Sequence, residues 1–274
     1  MNRSVKQRLV VHGQLHQSKS SKINRIEISC FRAIPINRKH ETTKSVMPEN
    51  QKARLRVIVL ASQKGGAGKT TLAAHIAVAA EAAGAGPAVL IDTDPQGSLS
   101  AWWNERKANS PALAPASVAE LTKKLSDLAQ AGYAWAVVDT PPAITKAISA
   151  VVQAADFVLI PTRPSPHDLR AVGSTVALIE AADKPFAFVV TQAKPNARLT
   201  VQAVTALSVH GVVAPAIVHD RVDFAASMID GRTVIETDPK GRSAAEMAEL
   251  WRFVLGRIDE SPKTRKTGKV PKHG

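Results

Sequence analysis

Residues 61–77, ASQKGGAGKTTLAAHIA, join two regular patterns in this chain of 274 residues. The run that leads into them, RVIVLAS at 56–62, is apolar from Val57 to Ala61, as a short strand buried on both faces is. The residues after the glycines are rich in alanine and predict a helix that ends at Gly84. A glycine-rich turn between a buried strand and a helix is the context of a phosphate-binding loop.

The loop supplies the groups that a nucleotide phosphate needs. Gly65, Gly66 and Gly68 let the backbone curve round phosphate oxygens and point its N–H groups inward. The helix that begins near Lys69 adds the positive end of its dipole. We expect Lys69 to bridge the terminal phosphates and the Thr70 hydroxyl to bind Mg²⁺.

A second lysine distinguishes this loop from the usual one. The usual motif has its first glycine five residues before its last, where this chain has Gln63, and Lys64 follows directly. The loop therefore carries two lysines, Lys64 and Lys69, although the motif requires only one. The residues alone leave the role of Lys64 open.

Strand and helix patterns alternate through residues 51–260, which we predict to form one domain. The predicted strands are 56–62, 87–92, 134–140, 156–162, 185–192 and 211–218, and the predicted helices are 70–84, 118–131, 144–154, 168–182, 199–209 and 243–257. Such alternation predicts an α/β fold with a single doubly wound, mainly parallel sheet and helices on both faces.

Aspartates follow two of the predicted strands. Asp92 and Asp94, in LIDTDPQGS, are two residues apart and point the same way on an extended strand end. Asp139 ends the apolar strand AVVD. Because an open α/β sheet binds its ligand at the carboxyl ends of its strands, we expect these carboxylates to lie near the phosphate loop and to support Mg²⁺ and a water molecule.

The net charge of +13 lies at the two ends of the chain. Residues 1–50 carry a net charge of +7 and residues 261–274 carry +5, which leaves +1 for residues 51–260. We predict a basic, disordered extension over 1–50, in which Met47 is an alternative start, and a basic, disordered tail over 261–274. Such ends are often simply solvated, so they support nucleic-acid binding only weakly.

Other features narrow the class of protein. No apolar run approaches the roughly 18 residues that cross a bilayer, and Cys30 is the only cysteine, which leaves no internal disulfide. We therefore expect a cytoplasmic protein.

The tryptophan pair Trp102 and Trp103 could stack on bases, but we favour packing of a helix onto the core. The histidines lack metal-ligand spacing, so Mg²⁺ with a nucleotide is the metal we expect.

Four motifs resemble those of the ParA/MinD group of deviant Walker-type P-loop ATPases, and most of all the partition ATPases called ParA. The motifs are KGGAGKTT, IDTDPQGS, VVDTPP and IPTRPSPHDL, in the order and spacing of that group over residues 55–258. The resemblance implies a P-loop NTPase fold of the deviant Walker A type, with ATP and Mg²⁺ as cofactors and hydrolysis of ATP to ADP and phosphate. The ATP-binding residues that it implies are Lys64, Gly65, Gly66, Ala67, Gly68, Lys69, Thr70 and Thr71.

The resemblance also implies a role for the second lysine. In that group two subunits sandwich two ATP molecules, and the early lysine of each reaches the phosphates of its partner. A cation supplied in trans stabilises charge on the transferred phosphoryl group. Lys64, Lys69 and Asp94 are then the catalytic residues, with Asp94 positioning water. The implied Mg²⁺ ligands are Thr70, Asp92 and Asp139, the carboxylates acting through water.

The resemblance further implies nonspecific DNA binding by the ATP-bound homodimer. The basic candidates by position are Lys194, Arg198 and Arg221, followed by Arg232 and Lys240. A ParB-type centromere-binding partner would stimulate hydrolysis, and the protein would associate with the nucleoid.

Two other tasks remain open for the same ATPase. One is an accessory role in conjugative DNA transfer, which the sequence does not separate from partition. The other is a membrane-surface positioning ATPase of the MinD type, which requires an amphipathic carboxyl-terminal helix. Residues 261–274 contain almost no apolar side chains, so we expect no membrane partner.

Overall fold

The structure is a computed structural model that describes residues 54–142 and 146–260. The predictions for residues 1–50, with Met47, and for residues 261–274 lie outside the described residues. Among the described helices, none is both long and apolar enough to cross a bilayer.

Six parallel strands form one sheet in the described part of the chain, in the order β3-β2-β4-β1-β5-β6. The strands are β1 (Arg56–Leu60), β2 (Ala88–Asp92), β3 (Ala112–Leu113), β4 (Trp135–Asp139), β5 (Phe157–Thr162) and β6 (Phe186–Val190). The helices are α1 (Lys69–Ala82), α2 (Ser98–Asn104), α3 (Leu121–Gln130), α4 (Lys146–Gln153), α5 (Pro166–Ala181), α6 (Arg198–Ser208), α7 (Val222–Met228), α8 (Val234–Thr237) and α9 (Arg242–Glu260).

The sheet separates two hydrophobic cores, because successive strand residues point to opposite faces. In β1, Ile58 and Leu60 belong to one core and Val57 and Val59 to the other. Helices α1, α2, α7, α8 and α9 contribute to the first core, and α3 to α6 contribute to the second. The predicted doubly wound α/β fold with helices on both faces is therefore confirmed.

The strand order brings the sequence motifs to one edge of the sheet. Leu60 at the end of β1 is in register with Asp139 at the end of β4, and Asp139 is in register with Asp92 at the end of β2. The loop that follows β1 thus begins beside Asp139, and Asp92 lies one strand further along the same edge. This is the carboxyl edge of the sheet, where open α/β folds bind their ligands.

The predicted strand at 211–218 is wrong. This segment runs beside β6 without forming a continuous ladder. Phe188–Val213 is an isolated parallel bridge, and the N–H groups of Ala214 and Val218 donate to the carbonyls of Phe188 and Val190 at 2.8 and 2.9 Å. A second isolated bridge, Ala193–His219, follows just after the segment. Pro215 lies between the bridges and has no N–H to donate to a ladder. Alternate residues of the segment are nevertheless buried, which explains the misleading pattern; Ala214, Ala216 and Val218 all belong to the first core.

Three short helices were not predicted, namely α2, α7 and α8. Each has seven residues or fewer, too few to show a helical period. Helix α2 carries the tryptophan pair, and the structure agrees with the packing role. Trp102 is buried and its Nε1 donates to the carbonyl of Arg232 at 3.2 Å, while Trp103 Nε1 donates to the carbonyl of Pro111 at 2.8 Å.

Candidate nucleotide-binding site

The glycine-rich loop connects β1 to α1 in a conformation that depends on its glycines. Gly66 and Gly68 have φ angles of +72° and +93°, which residues with a β-carbon adopt only at a cost. Gly68 precedes the first turn of α1, and its carbonyl accepts a hydrogen bond from the N–H of Leu72 at 2.9 Å. The loop therefore enters the helix with its backbone already curved.

Lys69 is the first residue of α1 and its side chain is buried. Its Nζ donates to the carbonyl of Ser62, on the opposite side of the loop, at 3.3 Å. Burial lowers the pKa of Lys69, because desolvation disfavours the ammonium, and the nearby carboxylates of Asp139 and Asp94 partly offset this effect. A phosphate anion placed in the loop would favour the charged form further.

Asp139 and Thr70 form the most unusual pair in the site. Thr70 Oγ1 donates to Asp139 Oδ2 at 2.6 Å, whereas the buried Oδ1 has no hydrogen-bond partner among the described residues. Desolvation raises the pKa of Asp139 to about 6, and the hydrogen bond from Thr70 only partly opposes that. A buried carboxylate oxygen without a donor, beside a hydroxyl, fits a hard cation such as Mg²⁺.

Asp92 uses its oxygens within the protein. Its Oδ2 accepts from the N–H and the hydroxyl of Ser100 at 2.8 and 2.9 Å, and its Oδ1 accepts from the N–H of Asp94 at 3.1 Å. These bonds attach the start of α2 to the end of β2. The Mg²⁺ role of Asp92 through water stays a prediction.

Asp94 lies in the turn between β2 and α2. Its Oδ1 accepts from the N–H of Gln96 at 3.0 Å, and its carbonyl accepts from the N–H of Gly97 at 2.9 Å. The Asp94 carboxylate raises the pKa of Lys69, so its charge acts at the mouth of the loop. Its role in positioning water likewise stays a prediction.

Side chains that the sequence analysis did not single out contact the carbonyl side of the loop. Thr191 Oγ1 donates to the carbonyl of Ala67 at 2.9 Å, and Gln192 Nε2 donates to that of Gly66 at 2.7 Å. Both residues directly follow β6. The signal available for them was a polar pair at the end of the predicted strand 185–192, just as Asp92 ends the predicted strand 87–92.

Arg163 contributes a third, longer contact from the end of β5. Its Nη2 lies 3.5 Å from the carbonyl of Gly65, and its guanidinium binds both oxygens of Asp168 at 2.9 and 3.0 Å. Burial alone would raise the pKa of Asp168, but hydrogen bonds from Arg163 and Ser165 outweigh this and lower it. Asp168, in the first turn of α5, therefore also holds the arginine that contacts the loop.

A cavity of about 210 Å³ adjoins the loop on the side of α7. Gly68, Thr71 and Gln192 line it from the loop side, and Arg221 and Phe224 from the α7 side. It combines apolar walls with a few polar groups, as sites for small ligands do. Its contact with the start of α1 makes the cavity continuous with the phosphate loop.

Comparison with known families identifies this arrangement. The model of the CobQ/CobB/MinD/ParA nucleotide binding domain matches residues 58–234, which contain the loop, the three aspartates and the cavity. The chain belongs to this family. The predicted relationship to the ParA/MinD group of P-loop ATPases is thereby confirmed. At the level of the family, the nucleotide that binds is ATP, together with Mg²⁺.

Two relatives of the ParA/MinD type show how far the similarity extends. The maintenance of carboxysome distribution protein A of Halothiobacillus neapolitanus is 34% identical over 200 residues, which are 69% of this chain and 91% of that protein. The protein ParA of Rhizobium radiobacter is 35% identical over 141 residues, or 49% of this chain and 62% of that one.

Solved structures of the ParA/MinD type share the fold. The MinD cell division protein of Aquifex aeolicus superposes with a TM-score of 0.62 at 22% identity, covering 73% of this chain and 97% of MinD. The apo McdA of Cyanothece superposes with a TM-score of 0.59 at 16% identity, covering 76% and 100%.

The two lysines of this ParA/MinD-type loop have different surroundings. Lys69 is buried against Ser62, whereas Lys64 is partly exposed and its ammonium makes no hydrogen bond or ion pair with the described residues. The same loop therefore holds one buried lysine, Lys69, and one lysine, Lys64, whose ammonium has no partner among the described residues.

The basic residues predicted to bind DNA differ in their partners. Lys194 forms an ion pair with Asp220, and Arg221 pairs with Glu246 at 2.8 Å. Arg198 is exposed at the start of α6 and forms no ion pair within the described part of the chain. Of the further candidates, Arg232 pairs with Asp230 at 2.7 Å and Lys240 is exposed.

Proposed function

We propose that this chain is an ATP-dependent, dimerising ATPase that binds DNA nonspecifically in its ATP state and drives plasmid or chromosome partition. The observation that carries the proposal is the convergence of Lys69, Thr70 and the half-bonded carboxylate of Asp139 at the mouth of the loop. The similarity to ParA of Rhizobium radiobacter supports the partition task.

In this proposal the triphosphate lies against the N–H groups of residues 65–71 and the nucleoside occupies the 210 Å³ cavity. Thr70 and Asp139 would hold Mg²⁺, and Asp92 would support its water shell. When bound, Mg²⁺ neutralises charge on the β- and γ-phosphate oxygens. The ammonium of Lys69 orients the terminal phosphate, and Asp94 positions the attacking water.

Lys64 completes the site of a second subunit. Its uncommitted ammonium is suited to reach the γ-phosphate of the ATP bound to a partner copy, where it stabilises the charge that develops during transfer. ATP then favours the closed homodimer, because only that state gives Lys64 its anion. A partner protein of the ParB type would accelerate hydrolysis and reverse the closure.

The DNA surface in this proposal depends most on Arg198, since Lys194 and Arg221 are ion-paired. Contacts of this kind go to phosphates and carry no sequence information. If the protein makes such contacts, it is cytoplasmic and associated with the nucleoid in this proposal. An accessory role in conjugative transfer uses the same DNA contacts and remains the main alternative.

A second candidate task is the positioning of a protein assembly instead of a replicon. The observation that favours it is the 34% identity to the maintenance of carboxysome distribution protein A across 91% of that protein. The ATP switch is the same in both tasks, and they differ in the cargo partner.

Co-sedimentation with DNA tests the proposed function. We expect the protein to sediment with plasmid DNA in ATP, and to remain in the supernatant in ADP or without nucleotide. Equal sedimentation in all three states would contradict an ATP-controlled DNA binder. Parallel samples with anionic liposomes distinguish the MinD-type alternative, because ATP-dependent sedimentation with liposomes and not with DNA would favour it.

Replicon assays separate the two DNA tasks. Loss of the ATPase should raise the rate at which a resident plasmid disappears from dividing cells, with its transfer frequency unchanged. A reduced transfer frequency with normal plasmid retention would support the conjugative role and contradict partition.

A further inference from the structure

The carboxyl end of β6 is bonded to the phosphate loop through two side chains. Gln192 Nε2 donates to the carbonyl of Gly66 at 2.7 Å, and Thr191 Oγ1 donates to that of Ala67 at 2.9 Å. Strand β5 lies between β6 and β1, so these contacts join distant parts of the fold. The chemistry proposed above assigns no task to them.

The geometry of the peptide bond gives these contacts a consequence. In a planar trans peptide, the carbonyl of one residue and the N–H of the next point in opposite directions. A bond that fixes the Gly66 carbonyl therefore also fixes the N–H of Ala67, and the bond to Ala67 fixes the N–H of Gly68. Held from the carbonyl side, these N–H groups face away from β6.

The backbone conformation of Gln192 is unusual for a residue with a side chain of this length. Its φ of +51° lies in the left-handed region, where glycine is relaxed and residues with a β-carbon are strained. Gln192 is also exposed, so burial of its side chain does not compensate for the strain. Strained residues of this kind concentrate at functional sites.

We propose that Gln192 is a positioning residue of the phosphate loop, which orients the Ala67 N–H toward the bound phosphate by holding the Gly66 carbonyl. This inference rests on the proposed function, since it assumes that the loop binds a nucleotide. Thr191 acts in the same way on the next peptide. Gln192 touches the loop and not the reacting atoms.

The test needs a ligand without a nucleoside, because Gln192 also lines the 210 Å³ cavity. Inorganic tripolyphosphate with Mg²⁺ meets this requirement and is compared with ATP and Mg²⁺ by titration calorimetry. The variant is Gln192→Gly, which removes the amide and relaxes the backbone. The matched control is Asn196→Gly, since Asn196 is exposed, has a φ of +57° and makes no hydrogen bond to the loop within the described residues.

We expect Gln192→Gly to weaken the affinity for both ligands about three- to tenfold, as the loss of one hydrogen bond does. Its melting temperature should stay close to that of the wild type, because relief of the backbone strain offsets the lost hydrogen bond and the greater freedom of glycine in the unfolded chain. Asn196→Gly should leave both affinities unchanged. A weaker affinity for ATP with unchanged affinity for tripolyphosphate would overturn the proposal and make Gln192 a nucleoside contact.

A second measurement keeps this inference separate from the proposed function. Nitrogen-15 relaxation of the protein without nucleotide should show a lower order parameter for the Ala67 amide in Gln192→Gly than in the wild type or in Asn196→Gly. An unchanged order parameter would overturn the positioning role. If the wild type bound neither ligand, the proposed function would fail, and the relaxation data would still decide whether Gln192 orders the loop.

Discussion

At the scale of single residues, the site contains a buried carboxylate whose protonation differs from that of an exposed aspartate. Asp139 is buried beside Thr70 with one oxygen unbonded, and desolvation raises its pKa to about 6 from the ordinary value of 3.8. Between these two values the folded state binds more protons than the unfolded state. The contribution of Asp139 to stability is therefore largest in acid and falls as the pH rises through 6.

Asp139→Asn should remove this dependence. In EDTA at pH 8, we expect the free energy of unfolding of the variant to exceed that of the wild type by about 3 kcal/mol, and the difference to vanish below about pH 4. Urea denaturation at a series of pH values measures it. The variant should also lose most of its affinity for ATP and Mg²⁺. The exposed Asp127→Asn serves as control, and a similar pH-dependent gain there would contradict burial as the cause.

At the level of elements, short helices connect the site to the rest of the fold. Helix α2 begins at the turn that contains Asp94, and Arg106 follows its end. Arg106 is buried and donates to the carbonyl of Gly231 at 2.7 Å and to both oxygens of Glu236 at 2.6 and 3.0 Å. These bonds fasten the end of α2 to Gly231, between α7 and α8, and to α8 itself.

The close approach of Gly231 to the backbone of Arg106 leads to a prediction. A β-carbon on Gly231 would lie 2.4 Å from the backbone of Arg106, and its φ is +74°. Gly84 has a similar φ of +69° but open space around it. Gly231→Ala should therefore lower the free energy of unfolding by about 3 kcal/mol or more, and Gly84→Ala by only about 1 kcal/mol. If urea denaturation gave equal losses of unfolding free energy for the two variants, the backbone around Gly231 would be able to move away from Arg106 at little cost.

The elements also show what could be predicted from the sequence. Buried parallel strands are continuously apolar, so β1, β2, β4, β5 and β6 were predicted and only their ends shifted. The segment 211–218 has a similar composition but forms only isolated bridges, and Pro215 within it has no N–H to donate. Lys69, Thr70 and Asp139 came from local motifs. Gln192 and Arg163 reach the loop only because β5 and β6 follow β1 in the order of strands across the sheet. A local sequence motif does not reveal this strand order, so these two contacts could not be predicted.

At the level of the whole molecule, the distribution of charge decides where DNA can bind. The folded region is nearly neutral, and the ion pairs of Lys194 and Arg221 reduce their attraction for phosphate. We expect Arg198→Glu to weaken ATP-dependent DNA binding several-fold and to lower the salt slope by about one. Fluorescence anisotropy at several salt concentrations measures both.

Arg221→Glu should behave differently from Arg198→Glu. It places two carboxylates together, because Glu246 now holds Arg221 at 2.8 Å and also contacts His219. We expect a lower melting temperature, with DNA binding affected less than by Arg198→Glu. A larger effect on DNA binding from Arg221→Glu at unchanged stability would move the DNA surface to α7.

Two copies of the molecule are needed to use both lysines of the loop. Lys69 is buried within its own subunit, while Lys64 has no partner among the described residues. We expect Lys64→Ala to bind ATP within about threefold of the wild type, because the loss of a partly exposed cation without a partner among the described residues costs little within one subunit. It should remain a monomer in analytical ultracentrifugation with a non-hydrolysable ATP analogue, under conditions in which the wild type dimerises. Lys69→Ala should lose nucleotide binding and dimerisation together. An ATP-dependent Lys64→Ala dimer would contradict the trans role, and loss of ATP binding by that variant would assign Lys64 to its own subunit.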